Sequence, residues 1–284
     1  MPVEPPVTSP RTLADAYAVL AESPHQPVAG GTDLLVQITG ELGEPPDRVL
    51  DIWHLDELRG ITVEADALVI GALTTYTEIR RSPLVTEFLP ALAEAAATIG
   101  AAQIQNRGTL GGNAVNASPA GDTLPILLAT DAELVLGSGR GERTVAAGDF
   151  WPAYRRTARA DDELLLRIRF PLVPDRQVRF RKVGTRRAQA ISKVVLALAW
   201  SGEGDQAWTD VRLALGSVAA TPIRAASTEA VLEGATPTPE TADAAAAALA
   251  AELSPIDDVR STADYWRAVA SRVLHRLIRE SGGW

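Results

Sequence analysis

The sequence predicts a two-domain α+β protein, and three features carry that expectation. Up to about residue 170, short apolar strand-like runs are interleaved with stretches of helical periodicity. Pro171-Leu-Val-Pro-Asp175 then breaks the pattern in the way a linker does. Beyond it, apolar strand candidates come first and helices last, the segregated order of an α+β unit. A chain of 284 residues can bury two cores, so the expected division is 1–174 and 175–284.

Residues 1–10 are proline-rich and expected to be extended. Thr12-Leu-Ala-Asp15 has the form of a capping box with Asp in place of Glu, and Leu13, Tyr17 and Leu20 follow at helical spacing. Pro24 and Pro27 end that helix. Val28-Ala29 is a short strand running into a Gly30-Gly31 turn, with a helix from there to about Thr39. Residues 49–52, 61–63 and 67–73 read as strands, the last two paired as a hairpin through Glu64-Ala-Asp66. Residues 75–81 and 84–99 read as helices, the second with Leu89, Leu92 and Ala96 on one face. Residues 103–122 show little periodicity and are expected to form a long irregular loop, a feature that is uncommon in compact domains and usually functional. A short helix at 123–128, a hairpin of 133–136 with 142–145, and a strand at 163–170 complete the first region. Gly137-Ser-Gly-Arg-Gly141 lies between strands, so it is a turn rather than a dinucleotide fingerprint. In the second region, strands at 178–183, 191–200 and 211–218 are joined by a basic turn at 184–189 and a hairpin at 201–205. Helices at 224–232, 240–253 and 262–280 follow.

Composition narrows the chemistry. The net charge of −9 argues against nucleic-acid binding, and no apolar run approaches the ~20 residues of a membrane helix. The start carries no signal-peptide pattern, so the expected location is the cytoplasm. There are no cysteines, which excludes disulfides, thiol catalysis and a thiolate-bound iron–sulfur cluster in this chain. His25, His54 and His275 have no metal-ligand spacing. Redox work here would therefore need an organic cofactor.

Val28-Ala-Gly-Gly-Thr-Asp-Leu-Leu35 is the stretch around which the first region is organised. Two glycines permit positive φ and leave the backbone open to a close ligand. Thr32 and Asp33 suit the cap of the helix that follows, and the free N–H groups at its start would attract an anion. A pyrophosphate fits such a turn; so does an ordinary strand-to-helix turn with nothing bound. In the second glycine stretch, Thr109, Asn113, Asn116 and Ser118 offer neutral hydrogen-bonding groups, and Asp122 offers a carboxylate to a sugar or ribityl hydroxyl. Lys182, Arg186, Arg187 and Lys193 concentrate positive charge after the linker. They read either as a solvated hairpin tip or as a cationic lip over a reduced cofactor or nucleotide.

The ordered pair Ala29-Gly-Gly-Thr-Asp-Leu34 and Thr109-Leu-Gly-Gly-Asn-Ala-Val-Asn-Ala-Ser-Pro-Ala-Gly-Asp122 resembles the FAD-binding medium subunits of molybdenum hydroxylases. The segment from Lys182 to Ile191 and the total length are similar to that family too, so the resemblance covers nearly the whole chain. It implies a fold of the type named after p-cresol methylhydroxylase and vanillyl alcohol oxidase (PCMH/VAO), with two α/β subdomains. A smaller domain with an antiparallel sheet and a helical bundle would follow. It implies FAD phosphate contacts from the backbone of Ala29, Gly30, Gly31, Thr32, Asp33 and Leu34, with Val28 beside them, and from Thr109, Gly111, Gly112 and Asn113. A ribityl or ribose contact falls on Asp122, with Leu165 and Lys182 near the flavin ring. FAD is expected to be non-covalent, because the loops hold no His or Cys. The resemblance further implies an iron–sulfur small subunit with [2Fe–2S] clusters, a molybdopterin large subunit and an acceptor such as NAD+, as a dimer of heterotrimers. A stand-alone flavin oxidase and a non-catalytic nucleotide-binding module are the alternatives.

Overall fold

A computed structural model describes residues 5–40, 44–186, 189–204, 206–258 and 261–284; residues 1–4 of the extended start, Arg187 of the basic turn and Asp205 of the second hairpin lie outside them. The chain opens with β1 (Val7–Thr8), α1 (Leu13–Glu22), β2 (Gln26–Val28), α2 (Leu34–Thr39) and β3 (Val49–Asp51). The strands form a parallel sheet in the order β1-β3-β2. Thr12 caps α1, its hydroxyl accepting the Asp15 N–H at 3.1 Å. Ala16 and Leu20 of α1 then bury themselves with Leu50, Ile52, Leu164 and Leu166 in a small separate core.

The second unit begins with the hairpin β4 (Ile61–Val63) and β5 (Ala67–Gly71), then α3 (Tyr76–Arg81), α4 (Pro83–Phe88), α5 (Pro90–Thr98), α6 (Ala102–Gln105), α7 (Leu110–Asn116) and α8 (Leu124–Ala129). After these come β6 (Glu133–Ser138), β7 (Gly141–Ala146), α9 (Ala147–Phe150) and β8 (Leu164–Pro171). The five strands make one antiparallel sheet, β4-β5-β8-β6-β7. Two expectations change here. The single helix over 84–99 is two helices, because Pro90 lacks an N–H and forces Leu89 off helical geometry (φ −149°, ψ 61°). The expected irregular loop over 103–122 contains α6 and α7. In α7 the Thr109 hydroxyl accepts the Gly112 N–H at 3.0 Å, and burial of Leu110 and Ala114 supplies the apolar face that the glycines hide in the sequence.

Strand β8 carries an irregularity with a purpose. Its register against β6 jumps from Arg167 opposite Val135 to Leu165 opposite Leu136, leaving Leu166 as an inserted residue. On one side of the jump, Ile168 and Phe170 face the main core; on the other, Leu165 does. Even and odd positions can share a face only across such a bulge. The bulge thus sends Leu165 to one side of the strand while Leu164 and Leu166 fill the small core under β3.

The final unit has β9 (Arg176–Gly184), β10 (Ser192–Ser201), β11 (Thr209–Gly216) and β12 (Ile223–Arg224), then α10 (Ala226–Leu232), α11 (Pro239–Glu252) and α12 (Ala263–Gly282). Its antiparallel sheet has the order β12-β11-β10-β9. Arg224, expected to open a helix, instead pairs with Ala214 in β12. Strand β10 reads as an unbroken apolar run because both its faces are covered. Val195, Ala197 and Ala199 join the core of the preceding unit, whereas Val194, Leu196, Leu198 and Trp200 pack under the last helices. The apolar layer therefore runs on past the 171–175 linker. No helix among the described residues is long and apolar enough to cross a membrane.

The 151–163 segment before β8 is anchored by an ion pair. Arg143 donates from Nε and Nη2 to Glu163 Oε1 and Oε2 at 2.6 and 2.7 Å, and the Ala160 N–H donates to Oε2 at 2.8 Å. The hydrogen bonds from Arg143 hold the Glu163 carboxyl below its ordinary 4.5, against the opposing effect of burial. A depressed carboxyl pKa gives stability that is present above the ordinary value and lost as pH falls through the folded value. Glu163→Gln is expected to cost about 1–2 kcal/mol in urea denaturation at neutral pH, discounted because the Arg143 side chain is half exposed. The gap to the unsubstituted protein should shrink when the titration is repeated below about pH 4. A gap that is independent of pH would count against the ion pair.

Candidate cofactor-binding site

The parallel sheet sets up the first glycine loop. β2 ends at Val28, and the chain leaves its carboxyl end through Ala29, Gly30 and Gly31 into α2, a common ligand position beside a parallel sheet. Gly31 has φ +76°, a conformation that L side chains rarely adopt. Gly30 is glycine for another reason: a Cβ there would lie 1.7 Å from the Arg107 carbonyl oxygen. The two glycine stretches, 77 residues apart at this contact, are in backbone contact, and Arg107 Nε also donates to the Gly30 carbonyl at 3.4 Å. The Arg107 guanidinium lies 3.8 Å from the Trp53 ring centroid, and Arg59 lies 4.4 Å from it.

The second stretch is pinned from below. Gly108 O accepts from Tyr76 N, Leu110 N donates to Thr74 O, and Gly111 N donates to Ala72 O, at 3.1, 3.1 and 2.9 Å. A Cβ on Gly111 would meet Ala72 at 2.6 Å, whereas one on Gly112 would meet only the Thr109 hydroxyl, at 2.8 Å, with open space otherwise. Gly112 is the glycine that faces the opening.

Together the loops wall a cleft of about 890 Å³, at the large end of the ~300–1,000 Å³ typical of small-molecule sites. Val28, Ala29, Gly30, Gly31, Thr32, Asp33, Leu34, Thr109, Gly111, Gly112, Asn113, Asp122 and Leu165 all line it. Backbone donors are unequally available. Among the described residues, no hydrogen bond uses the N–H of Gly31, Thr32, Asp33 or Leu34. In the second stretch the N–H groups of Gly111, Gly112 and Asn113 go to Ala72 O, Thr109 Oγ1 and Thr109 O. That stretch offers room and side chains rather than free amides. Asn113 is oriented by the Thr123 hydroxyl, which donates to its Oδ1 at 2.6 Å.

Asp33 stands at the N-cap of α2 but makes no cap hydrogen bond. Its carboxyl is within electrostatic reach of Arg155 and Asn116. Burial raises its pKa, and Arg155 and Asn116 lower it in part, although much of the residue's outer surface stays open.

Asp122 sits on the cleft floor at 8% exposure. Lys182 Nζ donates to its Oδ2 at 2.6 Å and to the Thr98 carbonyl at 3.1 Å, and the Ser192 hydroxyl donates to its Oδ1. Burial raises the Asp122 pKa, opposed chiefly by the charge of Lys182. Asp122 is the centre of a cross-unit network, and a carboxylate with two partners keeps lone pairs for a third. One expectation is revised. Lys182 is not among the lining residues and stands behind Asp122. Nor do Arg186 and Lys193, the other described residues of that basic group, line the cleft. Arg186 closes its own turn on the Gln189 carbonyl, Lys193 lies 4.8 Å from the Tyr265 ring, and Arg187 is outside the described residues. Among the described residues, the cations that line the cleft are Arg155 and Arg159, from the segment before β8. Sequence reasoning missed them because arginine in an irregular segment has no periodic or motif signal.

Comparison with known proteins bears on what this cleft holds. Residues 2–173 match the FAD binding domain in molybdopterin dehydrogenase, and residues 179–281 match the CO dehydrogenase flavoprotein C-terminal domain. The chain belongs to the FAD-binding medium subunits of the molybdenum hydroxylases. This flavoprotein subunit is 32% identical over 272 residues to the carbon monoxide dehydrogenase medium chain of Hydrogenophaga pseudoflava, covering 95% of this chain and 94% of that one. It is also 32% identical over 280 residues to the xanthine dehydrogenase FAD-binding subunit of Escherichia coli O157:H7, at 96% and 95% coverage. A solved carbon monoxide dehydrogenase from Hydrogenophaga pseudoflava superposes with a TM-score of 0.93 at 32% identity, covering 100% of this chain and 99% of that one. The flavoprotein subunit is thus the flavin component of an oxidoreductase, with a PCMH/VAO-type FAD-binding domain followed by the smaller sheet-and-bundle domain. Its first subdomain has a parallel sheet and its second an antiparallel one.

Proposed function

We propose that this subunit relays electrons within a molybdenum hydroxylase complex, receiving them from [2Fe–2S] clusters of a small partner and passing them to NAD+ or another acceptor. The observation that carries the reading is the cleft where one loop presents four unengaged N–H groups beside the open face of Gly112. FAD, when bound, supplies a two-electron store that can be filled one electron at a time. The chain's own residues bind and orient it. The N–H groups of 31–34, with the Asn113 side chain, hold the diphosphate. Leu165, placed by the β8 bulge, gives the ring an apolar wall. Asp122 accepts from a ribityl or ribose hydroxyl with its remaining lone pairs, held in place by Lys182 and Ser192. No side chain need act as acid or base on the primary substrate.

A molybdopterin large subunit completes the complex in this reading, as a dimer of heterotrimers in the cytoplasm, with FAD bound non-covalently. The chain divides functionally at 174/175, with the cleft mostly on the first side. Co-purification of the untagged complex from its host tests the proposal. Two further chains with flavin and iron–sulfur absorption, bleached together by the primary substrate, are the expected result. A flavin-loaded chain that purifies alone and oxidises a substrate directly would overturn it in favour of an oxidase.

A further inference from the structure

The charges lining the cleft do not suit a diphosphate without help. Among the described residues, Asp33, Glu44 and Asp122 face two cations, Arg155 and Arg159. Lys182 neutralises Asp122, which leaves two carboxylates beside a ligand portion that carries two more negative charges. Both cations come from the 151–163 segment, and each is held in an unusual way.

Arg155 sits at the tip of a turn closed by an antiparallel bridge between Ala153 and Arg156, with the Arg156 N–H on the Ala153 carbonyl at 3.0 Å. Its φ is +51°, left-handed geometry that costs a side chain-bearing residue about 1–2 kcal/mol. Glycine or asparagine would serve such a turn more cheaply. From there its guanidinium reaches the Asn116 carboxamide oxygen at 3.4 Å, on α7 of the second glycine stretch, and faces the Asp33 carboxyl of the first. Arg159 is fixed by its Nη1, which donates to the Ala160 and Glu163 carbonyls at 2.9 and 2.7 Å. Its Nε is buried with no hydrogen-bond partner. A buried guanidinium N–H without an acceptor costs free energy unless something supplies one. A strained cation over the seam of the loops and a second guanidinium in the same wall, engaged through Nη1 alone among the described residues, both suit an anion.

We infer that Arg155 and Arg159 are cofactor-contacting residues that grip the diphosphate of FAD from the side opposite the first glycine loop. The inference rests on the reading of the cleft as the FAD site and goes further by naming the counter-charges. On this account Arg155 exchanges its weak hold on Asn116 for the diphosphate, and Arg159, held through Nη1, offers its unengaged Nη2 to the same group. Charge-assisted hydrogen bonds of this kind make the cationic wall specific for the phosphorylated cofactor rather than for a bare flavin.

The test uses the full chain freed of flavin, titrated with FAD and, separately, with riboflavin by quenching of flavin fluorescence. Arg155→Gln and Arg159→Gln are each expected to raise the Kd for FAD about tenfold and to leave the Kd for riboflavin unchanged. Arg155→Lys should recover part of the loss, because a point charge remains without the planar fork. Arg155 is exposed and bears little on folding, so its variants stand even if Arg159→Gln does not fold. Equal FAD affinity in both glutamine variants would overturn the inference. So would a parallel loss for riboflavin, which would put the arginines at the ring or make them merely structural. An unsubstituted chain that binds neither flavin would instead remove the reading of the cleft itself.

Discussion

Gly30→Ala is expected to lower the unfolding free energy of the flavin-free chain by about 3 kcal/mol or more and to yield colourless protein. The added methyl would start 1.7 Å from the Arg107 carbonyl oxygen and 2.4 Å from its carbon. Both partners are backbone, so no side-chain rotation relieves the overlap. The first glycine loop would have to lift from the second, dragging the Arg107 bond to the Gly30 carbonyl with it. Since Gly30 is not in the left-handed region, the effect is steric rather than conformational. Urea denaturation with flavin absorbance checks both halves. Normal stability with full flavin would mean that the loops are not in contact.

Gly112→Val should behave in the opposite manner, leaving the fold nearly intact while FAD binding falls at least about a hundredfold. A Cβ here meets only the Thr109 hydroxyl, at 2.8 Å, and the rest of the side chain projects into the opening. Displacing that cap bond costs about 1 kcal/mol, a small effect in a domain of this size. The valine methyls would occupy the space that the diphosphate needs. Gly112→Ala should fall between the two. Calorimetric titration of each variant, alongside a thermal melt without flavin, separates the binding effect from the folding effect. A Gly112→Val protein that binds FAD normally would take the second stretch out of the site.

The contrast between these glycines shows what was legible in the sequence. Both Gly-Gly pairs stood out as places where a ligand could approach the backbone, and thirteen of the fourteen expected site residues line one cleft, although the second pair lies within α7 rather than in a loop. The reasons for the glycines were not legible. Gly30 and Gly111 are small because backbone packs on them, Gly31 because of its positive φ, and only Gly112 because of open space. Those distinctions depend on contacts between residues far apart in the chain. Helix α7 was hidden for a related reason, since its stability comes from burying Leu110 and Ala114 against distant elements rather than from propensity. The β10 run was easy to read as a strand, yet its even-odd split between two cores required the layers on both sides. Arg155 and Arg159 had no signal, because a segment without periodicity does not reveal which way its side chains turn.

The proposition that unites the fold and the function is that one cleft between the two glycine stretches receives the FAD diphosphate. A crystal structure of the chain grown with FAD tests it most directly. The expected result is diphosphate oxygens within hydrogen-bond distance of the N–H groups of residues 31–34, packed against Gly112. FAD density elsewhere on the chain, with those N–H groups facing water, would contradict it.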